Sequence, residues 1–199
     1  MRFDRFTERA QDAAMRAYEI LQRFQHSQAD TEHLFLALLE QTDGLVPQIL
    51  EALGIDPEPV NQQVEEVLQN SPKTRMPDTG PMAVGQVYIT PRLKRVLDLS
   101  NEEANNLNDE YISTEHIFLA ICSERATPTA RILHEIGVTR DRVLDAVKEI
   151  RGGQRVTSPQ AESRYRTLEK YSRDLTQLAR DRRLDPVIGR DEEILRVIQ

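Results

Sequence analysis

Residues 31–37 read Thr31-Glu32-His33-Leu34-Phe35-Leu36-Ala37, and residues 114–120 read Thr114-Glu115-His116-Ile117-Phe118-Leu119-Ala120. The two stretches lie 83 positions apart. The same offset, with no gap, pairs Thr7 with Thr90, Arg9 with Arg92, Glu19 with Glu102 and Ile49-Leu50 with Ile132-Leu133. It also pairs Gly54 with Gly137, Val60 with Val143 and Val64 with Val147. Roughly fifteen identities fall in about sixty aligned positions, where chance gives about four. The chain is written twice. Its period is longer than that of solenoid repeats, so two halves packed about a pseudo-twofold axis are expected.

Each half reads as four helices. The first is expected over about 7–24, with Ala10, Ala13, Ala14, Ala17, Leu21 and Phe24 forming one stripe at steps of three and four. Thr7 suits its N-cap, and Glu8 complements the helix dipole. The second, about 31–41, is apolar on nearly every side and belongs at the centre of a core. The third, about 45–53, buries Val46, Ile49, Leu50 and Leu53; Gly54 then provides a left-handed C-cap over which Ile55 can fold. Asp56 and Pro57 are an N-cap and first-turn pair for a fourth helix carrying Val60, Val64, Val67 and Leu68. In the second half Pro91 sits in a first turn, Gly137 is the stop and Thr139 the next N-cap. No useful strand alternation interrupts this pattern, so the fold class is all-α: two pseudo-twofold-related four-helix repeats.

The pattern implies a duplicated domain over 1–150, with repeat one at about 1–69 and repeat two at about 87–150. Between the repeats, residues 70–86 carry Pro72, Pro77, Gly80, Pro81 and Gly85, the composition of a surface loop. A second break at 151–163, with Gly152-Gly153 and Ser158-Pro159, reads as a flexible linker. Residues 164–199 form a helical tail in which Leu168, Tyr171, Leu175 and Leu178 keep helical spacing to about residue 182. Pro186 disfavours helix for the residue before it. A turn at Val187-Ile188-Gly189-Arg190 leads into a last helix from Asp191 that is still running at Gln199, so this segment is expected to be truncated.

Composition narrows the functional classes. With 199 residues and a net charge of −7, the chain is a soluble, acidic protein. Nucleic-acid binding needs clustered cations, so no nucleic-acid partner is expected. The cluster Arg180-Asp181-Arg182-Arg183 reads as a solvated helix end. The longest strongly apolar run, residues 34–39, is far too short to span a bilayer, and the N-terminus lacks a signal-peptide core, so no membrane partner is expected. Cys122 is alone in the sequence, which excludes an intramolecular disulfide and any Cys-based zinc cluster. A packed, inert thiol in a cytoplasmic protein is the expectation. His33 and His116 each follow a glutamate but lack the second His of a zinc-protease helix, so they read as packed core histidines and no metal site is expected.

Two sets of residues carry a family resemblance. Phe6-Thr7-Glu8-Arg9-Ala10, the doubled Thr-Glu-His-(Leu/Ile)-Phe-Leu and the stops Gly54 and Gly137 resemble the N-terminal domain of the Clp AAA+ unfoldases over about 1–151. Leu168-Glu169-Lys170-Tyr171-Ser172-Arg173-Asp174-Leu175-Thr176, with residues 184–194 after it, resembles the start of that family's first ATPase module. Within the family, residues 155–158 through Tyr171 are most similar to the ClpB disaggregases, which are favoured here. The opening Phe-Thr-Glu-Arg and the doubled Thr-Glu-His are also similar to ClpC.

The resemblance implies a substrate- and adaptor-binding domain of an ATP-dependent unfoldase, without ATPase activity in this chain. In the family the module continues into a Gly-Lys-(Ser/Thr) phosphate loop, and no Gly-x-x-x-x-Gly-Lys-(Ser/Thr) occurs in this sequence. Val187 and Ile188 match residues that line the adenine pocket, here half of an incomplete site. No cofactor is expected in this chain; ATP and Mg²⁺ belong to a longer parent that would form a homohexamer, with this chain alone a monomer. The implied partners are unfolded or aggregated clients and adaptors, the latter or arginine-phosphorylated clients being the ClpC-like alternative. In ClpC-like domains, residues matching Thr7 and Glu32, and their mates Thr90 and Glu115, form two phosphoarginine pockets: a carboxylate accepts from the guanidinium, and a hydroxyl at a helix N-terminus receives the phosphate. Ile89, where repeat one has Phe6, departs from the pattern. A purely structural reading keeps both glutamates as first-turn anions satisfied by the helix dipole. Rivals of other classes are a stand-alone regulatory module that caps a folded partner and a residual nucleotidase built on Val187-Ile188.

Overall fold

The computed structural model describes residues 3–73, 88–165, 175–183, 190 and 196. The chain divides into two compact units, Met1–Tyr165 and Arg166–Gln199. The first contains α1 (Glu8–Arg23), α2 (Thr31–Leu39), α3 (Leu45–Ala52), α4 (Pro57–Asn70), α5 (Pro91–Asn106), α6 (Thr114–Ser123), α7 (Pro128–Glu135) and α8 (Arg140–Arg151). Single 3₁₀ turns at Phe3–Arg5 and Ala161–Arg164 flank them.

Local chemistry sets the helix ends. The Thr7 hydroxyl accepts from the Ala10 amide at 3.2 Å, and its mate Thr90 accepts from Leu93 at 3.1 Å. Each cap removes one of the unpaired amides that open a helix. After α3, Gly54 adopts φ 78°, so that its own amide reaches Glu51 O and the Ile55 amide reaches Leu50 O. Gly137 repeats this at φ 74°, with Val138 bonding back to Leu133 O. These are paired Schellman stops. Helix α2 is two residues shorter than the periodicity suggested, because the chain turns at Glu40 and reverses through Asp43, at φ 54°. Leu53 and Val67 are half-buried rather than buried.

The repeats exchange their leading segments. Ile112 donates to Arg5 O at 2.7 Å and Thr7 donates to Ile112 O at 2.9 Å. The mates do the same: Ala29 donates to Tyr88 O at 2.8 Å and Thr90 to Ala29 O at 2.9 Å. These two isolated parallel bridges are the only strand-like pairing among the described residues. On the same pseudo-twofold, Phe35 of α2 stacks on its mate Phe118 of α6 with centroids 5.7 Å apart and planes 9° from parallel. Both rings are fully buried. Burying a side chain of this size stabilises the fold by roughly 1.5–3 kcal/mol, so a shared core at the seam favours the pair of repeats over either alone.

One expectation needs correction. Residues 151–163 are not a free linker. Gly152, at φ 57°, ends α8, and the chain then runs back over repeat two. Val156 is fully buried; its carbonyl accepts from Glu110 and Tyr111, and its amide donates to Asp109 Oδ1 at 2.7 Å. Pro159 O accepts from the Glu8 amide at 3.0 Å, and Ala161 and Tyr165 are buried. The Gly-Gly pair marks a reversal, while a single valine and a tyrosine supply the contacts that hold residues 154–165 against the repeats.

In the second unit, α9 (Leu175–Arg180) is the described part of the expected tail helix. The Arg183 amide closes it on Leu178 O, next to Arg182 at φ 55°, and Arg180, Arg182 and Arg183 are exposed. Val187, Ile188 and the last expected helix lie outside the described residues.

Candidate functional site

The four candidate residues come together as two seats, and each seat is built across the repeats. Thr7 of repeat one faces the N-terminus of α6, where Thr114 and Glu115 lie; Thr90 of repeat two faces the N-terminus of α2, where Thr31 and Glu32 lie. This crossing comes from the exchanged leading segments. Thr7 therefore shares a seat with Glu115, and Thr90 with Glu32.

At the α2 seat, the carboxylate of Asp30 is the hub. Its Oδ1 accepts from the Thr90 hydroxyl and from the Thr31 amide, each at 2.8 Å, and its Oδ2 pairs with Arg92. The Asp30 amide donates to His33 Nδ1 at 3.0 Å, completing a capping box. That bond places the His33 proton on Nε2, which meets His26 Nδ1 at 2.8 Å. Burial, then the neighbouring His26, pushes His33 down to about 4, so the pair is neutral at physiological pH. Glu32 is almost completely buried, and its Oε1 has no hydrogen-bond partner. Burial pushes its carboxyl above the usual range, with the Asp30 charge adding to the effect and Arg92 opposing it.

At the α6 seat, the mate of Asp30 is Ser113, and the carboxylate comes from elsewhere. Glu162 Oε1 accepts from the Thr114 amide at 2.8 Å and also pairs with the Thr114 hydroxyl; Oε2 accepts from the Thr7 hydroxyl at 2.6 Å. Behind it lies an ionic cluster. Arg151 donates to Glu115 Oε1 from Nη2 at 2.6 Å and Nε at 3.0 Å, and to Asp109 Oδ2 from Nη1 at 2.7 Å. His116 accepts from the Ser113 amide through Nδ1 and donates from Nε2 to Asp109 at 2.9 Å. Tyr165 donates to Glu115 Oε1 at 3.4 Å, and its ring lies 6.0 Å from the Arg151 guanidinium. Burial alone would raise Glu115, yet the Arg151 guanidinium holds it below the usual carboxylate range. Glu162, enclosed at its carboxyl end and facing Glu115, is pushed up to about 7, first by burial and then by that charge.

Thus Thr7, Thr90, Glu32 and Glu115 all sit at seats, and each hydroxyl already donates to a carboxylate of the chain. Three members were missed in the sequence: Arg151 and Glu162, placed in the linker, and Tyr165. The histidines are packed core groups as expected, with a capping role at the third helical position besides. Cys122 is half-buried, and burial pushes its thiol far up, which leaves it inert.

A separate cavity of about 420 Å³ opens where the leading segment of repeat one meets α5. Phe6, Leu97 and Ile112 supply apolar surface, and Arg5, Asp98, Asn101 and Glu102 complete its lining. Asp98 and Glu102 are exposed and Asn101 is half-buried.

A duplicated all-helical unit with crossed leading segments and a stacked Phe pair at its axis defines a class of two-repeat helical domains. The family described as Clp repeat (R) N-terminal domain matches residues 5–136, and the chain belongs to it. It is 43% identical over 200 residues to a chaperone protein ClpB from Nitratidesulfovibrio vulgaris, covering 100% of this chain and 23% of that protein. A chaperone protein ClpB from Gloeobacter violaceus is 39% identical over 196 residues, covering 98% of this chain and 22% of its own length. The chain thus spans less than a quarter of the curated relatives it matches. Among solved structures, the Hsp104 N-terminal domain from Candida albicans superposes with a TM-score of 0.67 at 22% identity, covering 79% of this chain and 98% of that one. The N-terminal domain of the ClpV1 ATPase from E. coli gives 0.60 at 17% identity, covering 75% and 88%. No described helix is long and apolar enough to cross a membrane.

Proposed function

We propose that this chain is the client- and adaptor-engaging N-domain of a ClpB-type, ATP-dependent cytoplasmic chaperone, and that the cavity between Phe6, Leu97 and Ile112 receives short extended apolar segments of unfolded or aggregated clients. The observation that carries the reading is that cavity: an apolar floor within a polar and charged lining, at the join of the two repeats. Such a surface suits weak binding of many sequences, since the floor rewards any apolar side chain and the lining holds the peptide backbone in register. ATP and Mg²⁺, and assembly into a hexameric ring, belong to the rest of the parent.

The test is titration of this chain with a permanently unfolded protein. Asp98→Trp, at an exposed position on the lining, should cover the cavity and weaken binding at least tenfold with helical content unchanged; unaltered binding removes the cavity from the account. Addition of ATP and Mg²⁺ should release no heat.

A second reading, arginine-phosphorylated clients at Thr7/Glu115 and Thr90/Glu32, is favoured by one feature. The α6 seat already pairs a guanidinium with a glutamate and an anion with two threonines, the chemistry such a ligand requires. An external ligand would have to displace Asp30 or Glu162. Glu32→Gln is the clean probe, because Glu115→Ala would also strand Arg151. Loss of phosphoarginine binding in Glu32→Gln supports this reading, and full binding removes it for that seat.

A further inference from the structure

The internal twofold allows each seat to be compared with a copy of itself. In repeat one the seat is closed locally: Asp30 stands immediately before Thr31 and bonds both Thr31 and Thr90. In repeat two the equivalent position is Ser113, whose short hydroxyl bonds to His116 instead. The missing carboxylate is brought from 48 residues beyond Thr114 by Glu162, which occupies the same station and bonds the equivalent groups, Thr114 and Thr7. Two further mates differ in step with it. Leu68 of α4 becomes Arg151, and His26 becomes Asp109; the latter holds Val156 by its amide. Repeat two is finished by residues outside the repeat.

We propose that residues 154–165 form a releasable latch, bolted by Glu162, that docks the segment leading out of the first unit onto the seam between the repeats. Docked, residues 154–165 lie against the repeats; undocked, these twelve residues are freed from Gly152-Gly153 onward and can extend by up to about 40 Å. The bolt touches both repeats at once, on the N-cap residue of α1 and the first residue of α6, while Val156, Pro159 and Tyr165 are its hinge contacts. It is also held only at separated points: Gln154, Arg155, Thr157, Gln160 and Ser163 are exposed, and Glu162 faces the Glu115 carboxylate as Asp30 faces that of Glu32. Release uncovers the amides of Glu8, Glu110, Tyr111 and Thr114, the hydroxyls of Thr7 and Thr114 and one face of the Asp109 and Glu115 carboxylates, and takes Val156 and Tyr165 out of the core, while α1 to α8 keep their own caps and mutual contacts. This goes beyond the client-binding reading and stands whether or not that reading does.

The experiment is hydrogen exchange by mass spectrometry on the 199-residue chain, read over residues 154–165 against the helices of the same unit. Glu162→Ala should speed exchange in that segment at least tenfold while α1 to α8 keep their protection. Ser113→Asp in the otherwise unaltered chain copies the Asp30 arrangement, and should expel Glu162 and expose the segment while α1 to α8 keep their protection. Protection of 154–165 unchanged in Glu162→Ala overturns the latch. So does a Ser113→Asp chain that folds normally with the segment still protected. Should Glu162→Ala lower protection uniformly across the helices, Glu162 is a fold-stabilising residue and not a bolt, which equally overturns it.

Discussion

The two repeats have the same core and opposite strategies at its edge. Repeat one closes its seat from within the repeats: a neutral His26–His33 pair, an apolar Leu68 and the neighbouring Asp30 carboxylate, paired with Arg92. Repeat two uses a buried ionic network of Asp109, Glu115, His116 and Arg151, sealed by Glu162 and Tyr165 from beyond α8. Each arrangement is consistent within itself. Once His26 becomes Asp109, a buried carboxylate needs a cation, and Arg151 at the station of Leu68 supplies it; once Asp30 becomes Ser113, another anion must cap α6. The lesson is that duplicated folds diverge in linked sets, because a buried charge cannot change alone.

The largest expected effect breaks this set at its cation. Arg151→Ala leaves Asp109 and Glu115 buried without their partner, which costs about 3–5 kcal/mol. Urea denaturation at pH 7 checks it. The mate substitution Leu68→Ala costs about 2–5 kcal/mol through a cavity, a loss of a different kind. The two are told apart by pH. Arg151 holds Glu115 below its unfolded value, and after His116 and the Val156 amide it helps to hold Asp109 there, so its contribution is present above the ordinary carboxylate range and lost as pH falls through the depressed native values. The Arg151→Ala deficit should shrink as pH falls below the ordinary carboxylate range, whereas that of Leu68→Ala should not.

A smaller effect belongs to repeat one. His33 is held neutral with its value lowered from 6.5 to about 4. Below 6.5 the unfolded chain takes up a proton that the folded chain refuses, so stability is complete above 6.5 and falls as pH drops towards 4. The loss is at most about 3 kcal/mol for that interval. His33→Gln, whose amide oxygen can still accept from Asp30, should flatten the melting temperature between pH 6.5 and 4. An unchanged slope would place the acid sensitivity elsewhere.

The core was legible in the sequence because apolar period and caps are local: Thr7, Gly54, Pro57, Pro91 and Gly137 each act within a few residues. The doubled Thr-Glu-His located the seam for the same reason. The rest depended on distance along the chain. Arg151 and Glu162 stand in a stretch whose Gly-Gly and Ser-Pro pairs read as a linker, and nothing local says that Val156 and Tyr165 are buried. A signal did exist in the mates that break the repeat, namely Asp30 against Ser113, His26 against Asp109 and Leu68 against Arg151. Three changes of charge or polarity at mated positions ask for an outside partner. The histidines were read as packed groups without their capping role, since a capping box is usually sought as Glu or Gln at that position.

The smallest effect compares the two N-cap threonines, which the sequence cannot distinguish. Thr90→Ala removes a cap bond to Leu93 and one of the donors to Asp30, yet Asp30 keeps Thr31 and Arg92; a loss of about 1 kcal/mol is expected. Thr7→Ala removes the equivalent cap bond to Ala10, and with it the donor at 2.6 Å that holds Glu162 Oε2. Its stability loss should be of similar size, because Glu162 keeps its bonds to Thr114. Its distinguishing mark is local: exchange at residues 154–165 should accelerate in Thr7→Ala and stay at the native rate in Thr90→Ala. Equal behaviour of that segment in the two variants would mean that the repeats are coupled to it alike, and the asymmetry drawn between the seats would fail at its simplest point.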